Sequence, residues 1–194
     1  MVFYVLWYNI NMKTEEKIID KGTIKVYLIC CDITSLTVDI YVNAANNYLA
    51  GGGGVDYAIH KAAGEKELIE YNKKVNGGYL KTGEVTISPG FKSKAKYIIH
   101  TVGPVYFENN KIVNEKLLYS CYYKSLELAK KYNAHSIAFP AISQGVYGYP
   151  ANEAAIISLK AINDWILKNK EYELTIYLVA YLKETYFAYL SNAK

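Results

Sequence analysis

Apolar and polar positions alternate in blocks along the chain, and the blocks predict a regular succession of strands and helices. Ile24–Cys30 and Asp39–Val42 read as strands. Val55–Ala63 reads as a helix, with Val55, Ala58, Ile59 and Ala62 on one face. Glu65–Val75 continues helically until Asn76-Gly77-Gly78 breaks it. Glu84–Ser88 and Lys96–Thr101 are strand-like. Leu118, Cys121, Ser125, Leu128 and Tyr132, at steps of three and four, predict a helix over Asn114–Tyr132. Ser136–Phe139 is a short strand, and Pro150 opens a helix to about Leu167, where the missing N–H of proline costs little. Leu174–Leu182 is an unbroken apolar strand, and Glu184–Ser191 a last helix.

Continuous apolar strands between amphipathic helices imply a sheet buried on both faces. The expected fold class is α/β: a three-layer α/β/α sandwich with a mixed, mostly parallel central sheet. Ligands of such sheets sit outside the carboxyl ends of the strands. Two unusual loops, residues 43–56 and 140–150, each follow a strand and lead into a helix.

The first loop carries four successive glycines, Gly51 to Gly54, just before a helix start. Glycines let a ligand approach the main chain, and the free N–H groups of the helix end favour an anion. The alternative is a flexible turn. Asp56, in the first helical turn, is either a helix cap or a chemical group, and His60 shares its face four residues on. Turn propensity explains Asn43, Asn46 and Asn47 nearly as well as ligand binding does. In the second loop Ser143, Gly145 and Gly148 expose backbone donors, and Tyr147 and Tyr149 are candidate platforms. Two anion-binding loops on one sheet edge point to a diphosphate, hence a nucleotide-type ligand.

Composition narrows the chemistry. All 22 basic residues are lysine, so any phosphate must be held by backbone N–H groups, lysines or helix ends rather than by a guanidinium fork. The net charge of +4 and the absence of long lysine runs give no nucleic-acid stripe. No apolar run is long enough to span a bilayer, and the opening MVFYVLWYNI lacks the marks of a signal peptide. Cys30, Cys31 and Cys121 are an odd set that argues for a reducing compartment. His60, His100 and His135 are widely spaced and show no metal-ligand pattern.

Taken in order, CDIT (31–34), VNAAN (42–46), LAGGGGVDYAIHKAAG (49–64), KTGEVTISPG (81–90), IIHTVGP (98–104), LLYSCYYKSLELA (117–129) and AFPAISQGVYGYP (138–150) resemble the macro domain family, most closely its MacroD-like branch. The resemblance implies a macro domain over residues 24–194, with residues 1–23 an N-terminal extension or edge strand. It implies binding of ADP-ribose and hydrolysis of mono-ADP-ribose esters on acidic side chains, or deacetylation of O-acetyl-ADP-ribose. The alternatives are a non-catalytic reader and an ADP-ribose-1″-phosphate phosphatase. By resemblance, Asp32 and Ile33 take the adenine end. Gly52, Gly53, Gly54 and Val55, with Ser143, Gln144, Gly145, Val146 and Tyr147, line the diphosphate. Asn46 holds the distal ribose, Tyr147 packs on it, Asp56 serves hydrolysis with His60 beside it, and Tyr186 stacks on adenine.

The resemblance also implies no cofactor and no metal. The expected partners are ADP-ribose and mono-ADP-ribosylated proteins. Neither a membrane nor nucleic acid is expected, save as an ADP-ribosylated substrate, and the chain is expected to be a cytoplasmic monomer. Gln144 stands where the family usually has threonine, Tyr57 where it has a small residue, and Cys31 where it has glycine.

Overall fold

The computed structural model describes residues 15–193. Its strands are β1 (Glu15–Lys21), β2 (Ile24–Ile29), β3 (Ile40–Ala44), β4 (Val85–Pro89), β5 (Tyr97–Thr101), β6 (Ser136–Phe139) and β7 (Leu174–Val179). Its α-helices are α1 (Gly54–Ala63), α2 (Glu65–Lys74), α3 (Lys111–Lys131), α4 (Ala151–Lys168) and α5 (Lys183–Asn192). The strands form one sheet in the order β1-β2-β7-β6-β3-β5-β4. The five inner strands run parallel, and β1 and β4 are antiparallel edges.

Alternation along each inner strand feeds two cores. Ile40, Val42, Ile99, Ile137 and Phe139 face α3 and α4, while Tyr41, Ile98 and Ala138 face Ile59 and Leu68 of α1 and α2. The architecture is the expected α/β/α sandwich, and each fully buried aliphatic side chain in it contributes about 1.5–3 kcal/mol. Among the described residues no helix is long and apolar enough to cross a membrane.

Two element boundaries differ from the sequence pattern by three residues. β7 stops at Val179, because Tyr181 and Leu182, apolar but 78% and 56% exposed, belong to a loop on the site side of the sheet. α3 begins at Lys111, three residues before its buried stripe, since Ile112 and Val113 are exposed. Glu15–Lys21 forms β1, a charged edge strand with an irregularity between Lys17 and Ile19. The rest of the expected N-terminal extension or edge strand, residues 1–14, lies outside the described residues.

Candidate functional site

Because the inner strands are parallel, the segments that follow β2, β3, β6 and β7 all emerge on one edge of the sheet. Together they enclose a cavity of about 450 Å³. Asp32 and Ile33 supply one wall, Gly54 and Val55 at the start of α1 a second, and Gln144 and Gly145 a third. The exposed Tyr181 and Leu182 form the lip, with Thr185 buried behind them. No lysine lines this cavity. Attraction for an anion there must come from backbone N–H groups and the α1 dipole.

Asp32 caps the short turn Ile33–Ser35, its Oδ1 accepting from the Thr34 N–H at 2.9 Å and the Thr34 hydroxyl at 2.8 Å. That fixes the carboxylate at the mouth and leaves Oδ2 without a partner among the described residues.

The loop after β3 is shaped by side chains. Asn46 Nδ2 donates to the Gly51 carbonyl at 2.7 Å, and Asn46 Oδ1 accepts the Tyr48 N–H at 3.0 Å. Asn47 Nδ2 donates to the Leu80 carbonyl at 2.8 Å. The chain then reverses through Gly51 and Gly54, both left-handed (φ 79° and 61°), which suits glycine. Gly53 precedes α1 without a side-chain cap, so the first-turn N–H groups are unclaimed by the protein.

Asp56 does not cap the helix. It turns inward, 4% exposed, and its Oδ1 accepts from Asn43 Nδ2 at 2.7 Å and from His60 Nδ1 at 3.0 Å. His60 Nδ1–H is shared with the Asp56 carbonyl at 2.9 Å. Burial pulls the His60 pKa down, but the hydrogen bond and charge of Asp56 overcome it and the net shift is upward. Asp56 Oδ2 accepts no hydrogen bond from a described residue. A Cβ on Gly52 would lie 3.0 Å from it and 3.5 Å from Asn46 Nδ2. Gly52 thus leaves an open position between the free carboxylate oxygen and the Asn46 amide.

The loop after β6 is shaped by backbone. Tyr149 N–H donates to the Ser143 carbonyl and Gly148 N–H to the Gly145 carbonyl, both at 2.9 Å. Ser143 is left-handed (φ 66°) and packs on Gly103, whose added Cβ would stand 2.1 Å from Ser143 Oγ. The N–H groups of Gly145, Val146 and Tyr147 donate to nothing among the described residues. Gln144 Oε1 accepts the Thr185 hydroxyl at 2.9 Å, tying the loop to α5.

The structure thus brings Asp32, Ile33, Gly54, Val55, Gln144 and Gly145 around one cavity. Asn46, Gly52, Asp56 and His60 gather beside it. Ser143 is buried beneath the second loop, Gly53 precedes α1, Val146 is fully exposed at the loop tip, and Tyr147 is half-buried. Tyr149, a candidate platform, is instead buried against Tyr106, ring centroids 4.9 Å apart.

Tyr186 is not among the residues that line this cavity; its hydroxyl donates to Glu16 Oε2 of β1, 3.2 Å away. The aromatic at the lip is Tyr181. Sequence reasoning passed over Tyr181 as part of a strand, and Thr185 altogether. It also left Asn43 open between a turn role and ligand binding and gave His100 no role, yet both are fully buried next to Asp56. Among the described residues no group of three or more metal-ligating side chains assembles.

A three-layer sandwich with two donor-rich loops closing over one cavity defines a binding domain for a phosphate-bearing ligand. The Macro domain family model matches residues 42–158, and the chain belongs to the macro domain family. A macro domain-containing protein of Methanosarcina mazei is 48% identical over 178 residues, covering 91% of this chain and 92% of that protein. The human ADP-ribose glycohydrolase MACROD2 is 45% identical over 159 residues, covering 82% of this chain but 37% of that longer protein. Among solved structures, the Oceanobacillus iheyensis macrodomain with ADP superposes with a TM-score of 0.85 at 39% identity, covering 94% of this chain and 96% of that one. The Trypanosoma brucei macrodomain in complex with ADP-ribose gives 0.80 at 31% identity, covering 93% and 75%.

Proposed function

We propose that this chain binds ADP-ribose across the two loops and hydrolyses its ester link to acidic protein side chains, with O-acetyl-ADP-ribose as a second substrate. The ligands and activity in the names of the relatives support this reading. The observation that carries it is Asp56: a buried carboxylate with one oxygen fixed by two donors and the other free beside Gly52 and Asn46.

In this reading Asp32 and Ile33 receive the adenine. The N–H groups of Gly52–Val55 and of Ser143–Tyr147 hold the diphosphate. Asn46 has an N–H and a lone pair to spare for the distal ribose, and Tyr147 packs against it. Asp56 Oδ2 orients a water and draws its proton as the water oxygen bonds to the anomeric or acyl carbon. At the anomeric carbon the C1″–O bond breaks and the acidic side chain leaves as a carboxylate; at the acyl carbon the acyl C–O bond breaks, the ribose oxygen leaves and takes up the proton drawn by Asp56, and the acid is released. His60 is a positioning residue, holding Oδ1 so that Oδ2 stays aimed.

The test is a time course of ADP-ribose release from a glutamate-linked mono-ADP-ribosylated protein, with Asp56→Asn alongside. The wild type should release ADP-ribose. The variant should turn over about 10²–10⁴-fold more slowly while its affinity for ADP-ribose is largely kept. Binding without release by the wild type would instead make the protein a reader.

A further inference from the structure

A row of buried polar side chains crosses the face of the sheet beneath α1, in an otherwise apolar layer. Asn43 on β3 and His100 on β5 are direct partners in the ladder, and Ser88 on β4 shares a face with Thr86, the residue paired to His100. Ser88, His100 and Asn43 are at most 1% exposed. The row runs from Ser88 Oγ to His100 Nε2 (3.0 Å), from His100 Nδ1 to Asn43 Nδ2 (3.2 Å), and from Asn43 Nδ2 to Asp56 Oδ1 (2.7 Å).

Donor and acceptor chemistry fixes every proton in this row. A carboxylate only accepts, so the Asn43 group that faces Asp56 is its NH₂. The same nitrogen meets His100 Nδ1, and an amide nitrogen only donates, so Nδ1 carries a lone pair. The His100 proton is then on Nε2 and goes to Ser88 Oγ. We propose that His100 is a positioning residue: a neutral, Nε2-protonated imidazole that engages one Asn43 N–H and so aims the other at Asp56.

Asn43 Oδ1 has no partner among the described residues, so the two N–H bonds are all that orient the amide. Reversing the amide would set its oxygen against both the carboxylate and the imidazole lone pair. Removing the imidazole would leave a buried N–H unpaired and let the amide plane rotate. Asp56 Oδ1 would then keep one firm donor, His60, and the aim of Oδ2 would loosen. Burial, with His60 nearby, pushes the His100 pKa down to about 3, so the ring stays neutral in ordinary buffers. Asp56 and His60 are the ionisable groups that face it.

The structural part stands by itself, and the kinetic part rests on the hydrolase reading. Nitrogen–proton correlation spectra of the imidazoles in the wild-type protein should show His100 protonated at Nε2, bare at Nδ1 and unchanged from about pH 5 to 8. A proton on Nδ1, or a titration in that range, overturns the proposal. In the ester-release assay His100→Leu should lower kcat on the order of 10²-fold with ADP-ribose affinity unchanged. His100→Asn, whose oxygen can accept the same hydrogen, should recover much of the loss. An unchanged kcat in His100→Leu, a parallel loss of affinity, or no recovery in His100→Asn overturns it too. If the wild type releases nothing, the hydrolase reading fails and the spectra alone decide this inference.

Discussion

Between Ala45 and Gly53 the chain is pinned by the amides of Asn46 and Asn47, and Asn43 then grips Asp56 one turn into α1. Between Pro140 and Pro150 the loop's own side chains pin none of its backbone among the described residues, and the Tyr122 hydroxyl of α3 reaches only its base, at the Pro140 carbonyl and the Ile142 N–H. Three backbone bonds close that loop, a left-handed Ser143 turns it, and the Gln144–Thr185 bond anchors its flank. The difference follows from what each loop has to present. A reacting carboxylate must be aimed, and aiming takes directional partners whose own positions are fixed. A phosphate cradle needs only N–H groups turned one way, which backbone geometry supplies. Without arginine in the chain and with no lysine in the cavity lining, backbone donors are what the second loop has to offer.

The two loops should therefore fail differently when a methyl group is added. Gly52 is not left-handed, so Gly52→Ala strains little, but its Cβ would stand 3.0 Å from Asp56 Oδ2, where the proposed hydrolysis seats its water. Turnover should fall on the order of 10²-fold, with the melting temperature nearly unchanged. Gly103→Ala places a Cβ 2.1 Å from Ser143 Oγ and 2.7 Å from Ile142 Cγ2, so the base of the second loop must shift. That overpacking should destabilise the fold by about 1–3 kcal/mol and weaken ADP binding. Calorimetry and ADP titration of both variants check the contrast. A stable Gly103→Ala with full affinity would break it.

The first loop is wired to two histidines, His60 and His100, whereas residues 140–150 contain no carboxylate, lysine or histidine. His100 has a folded pKa of about 3, far below the ordinary 6.5. The unfolded chain therefore takes up a proton there that the folded protein refuses, and stability drops as pH falls below about 6.5. The slope from this one group approaches about 1.4 kcal/mol per pH unit. Asp39 and Glu67 have pKa values below 3.8 and 4.5, so the stretch from about pH 6 to 5 belongs to His100. His60 has the opposite sign: its raised pKa stabilises the fold fully below 6.5, and that gain is lost as pH rises through its folded value. Urea denaturation across pH should show a maximum near pH 6.5. His100→Asn should flatten the acid limb and keep the alkaline one.

Much of the fold was legible because the inner strands are buried on both faces and read as apolar runs, as in Ile24–Ile29. β1 was legible only as one of two alternatives, an extension or an edge strand, since EEKIIDK pairs along one edge and mixes charge with apolar residues without strict alternation. The end of β7 was overrun because Tyr181 and Leu182 stay apolar for the cavity and not for the sheet. Within the site, the glycine run and Asp56 stood out by spacing along the chain. His100 did not, because its neighbours Asn43 and Ser88 come from other strands, 57 and 12 residues away, through ladder register that no spacing rule reads. Asn43 was hidden differently: at a strand end an asparagine looks like turn chemistry, and only its full burial separates the two roles. At the adenine end, α5 presents the hydroxyl of Tyr186 to β1 while the loop before it offers Tyr181 to the cavity, an exchange that the apolar run through Leu182 concealed.

That last exchange gives the smallest and sharpest test on the side of the second loop. Tyr181 stands on the lip beside Gln144 and Thr185, 78% exposed, so its ring is available to pack on a bound base. Tyr181→Ala should weaken ADP-ribose binding by about 1 kcal/mol, roughly fivefold, the scale of one aromatic contact. Tyr186→Phe removes a hydroxyl whose bond to Glu16 is exposed, so affinity should not move and stability should fall by less than about 0.5 kcal/mol. Because neither side chain touches Asp56, neither substitution should alter the rate of the bound complex. Calorimetric titration with ADP-ribose, read beside single-turnover release, separates these outcomes. Equal losses of affinity in both variants would return Tyr186 to the adenine end. A loss of rate in Tyr181→Ala would mean that the cavity lip and the aimed carboxylate are coupled, so the two loops would no longer be separable parts of the site.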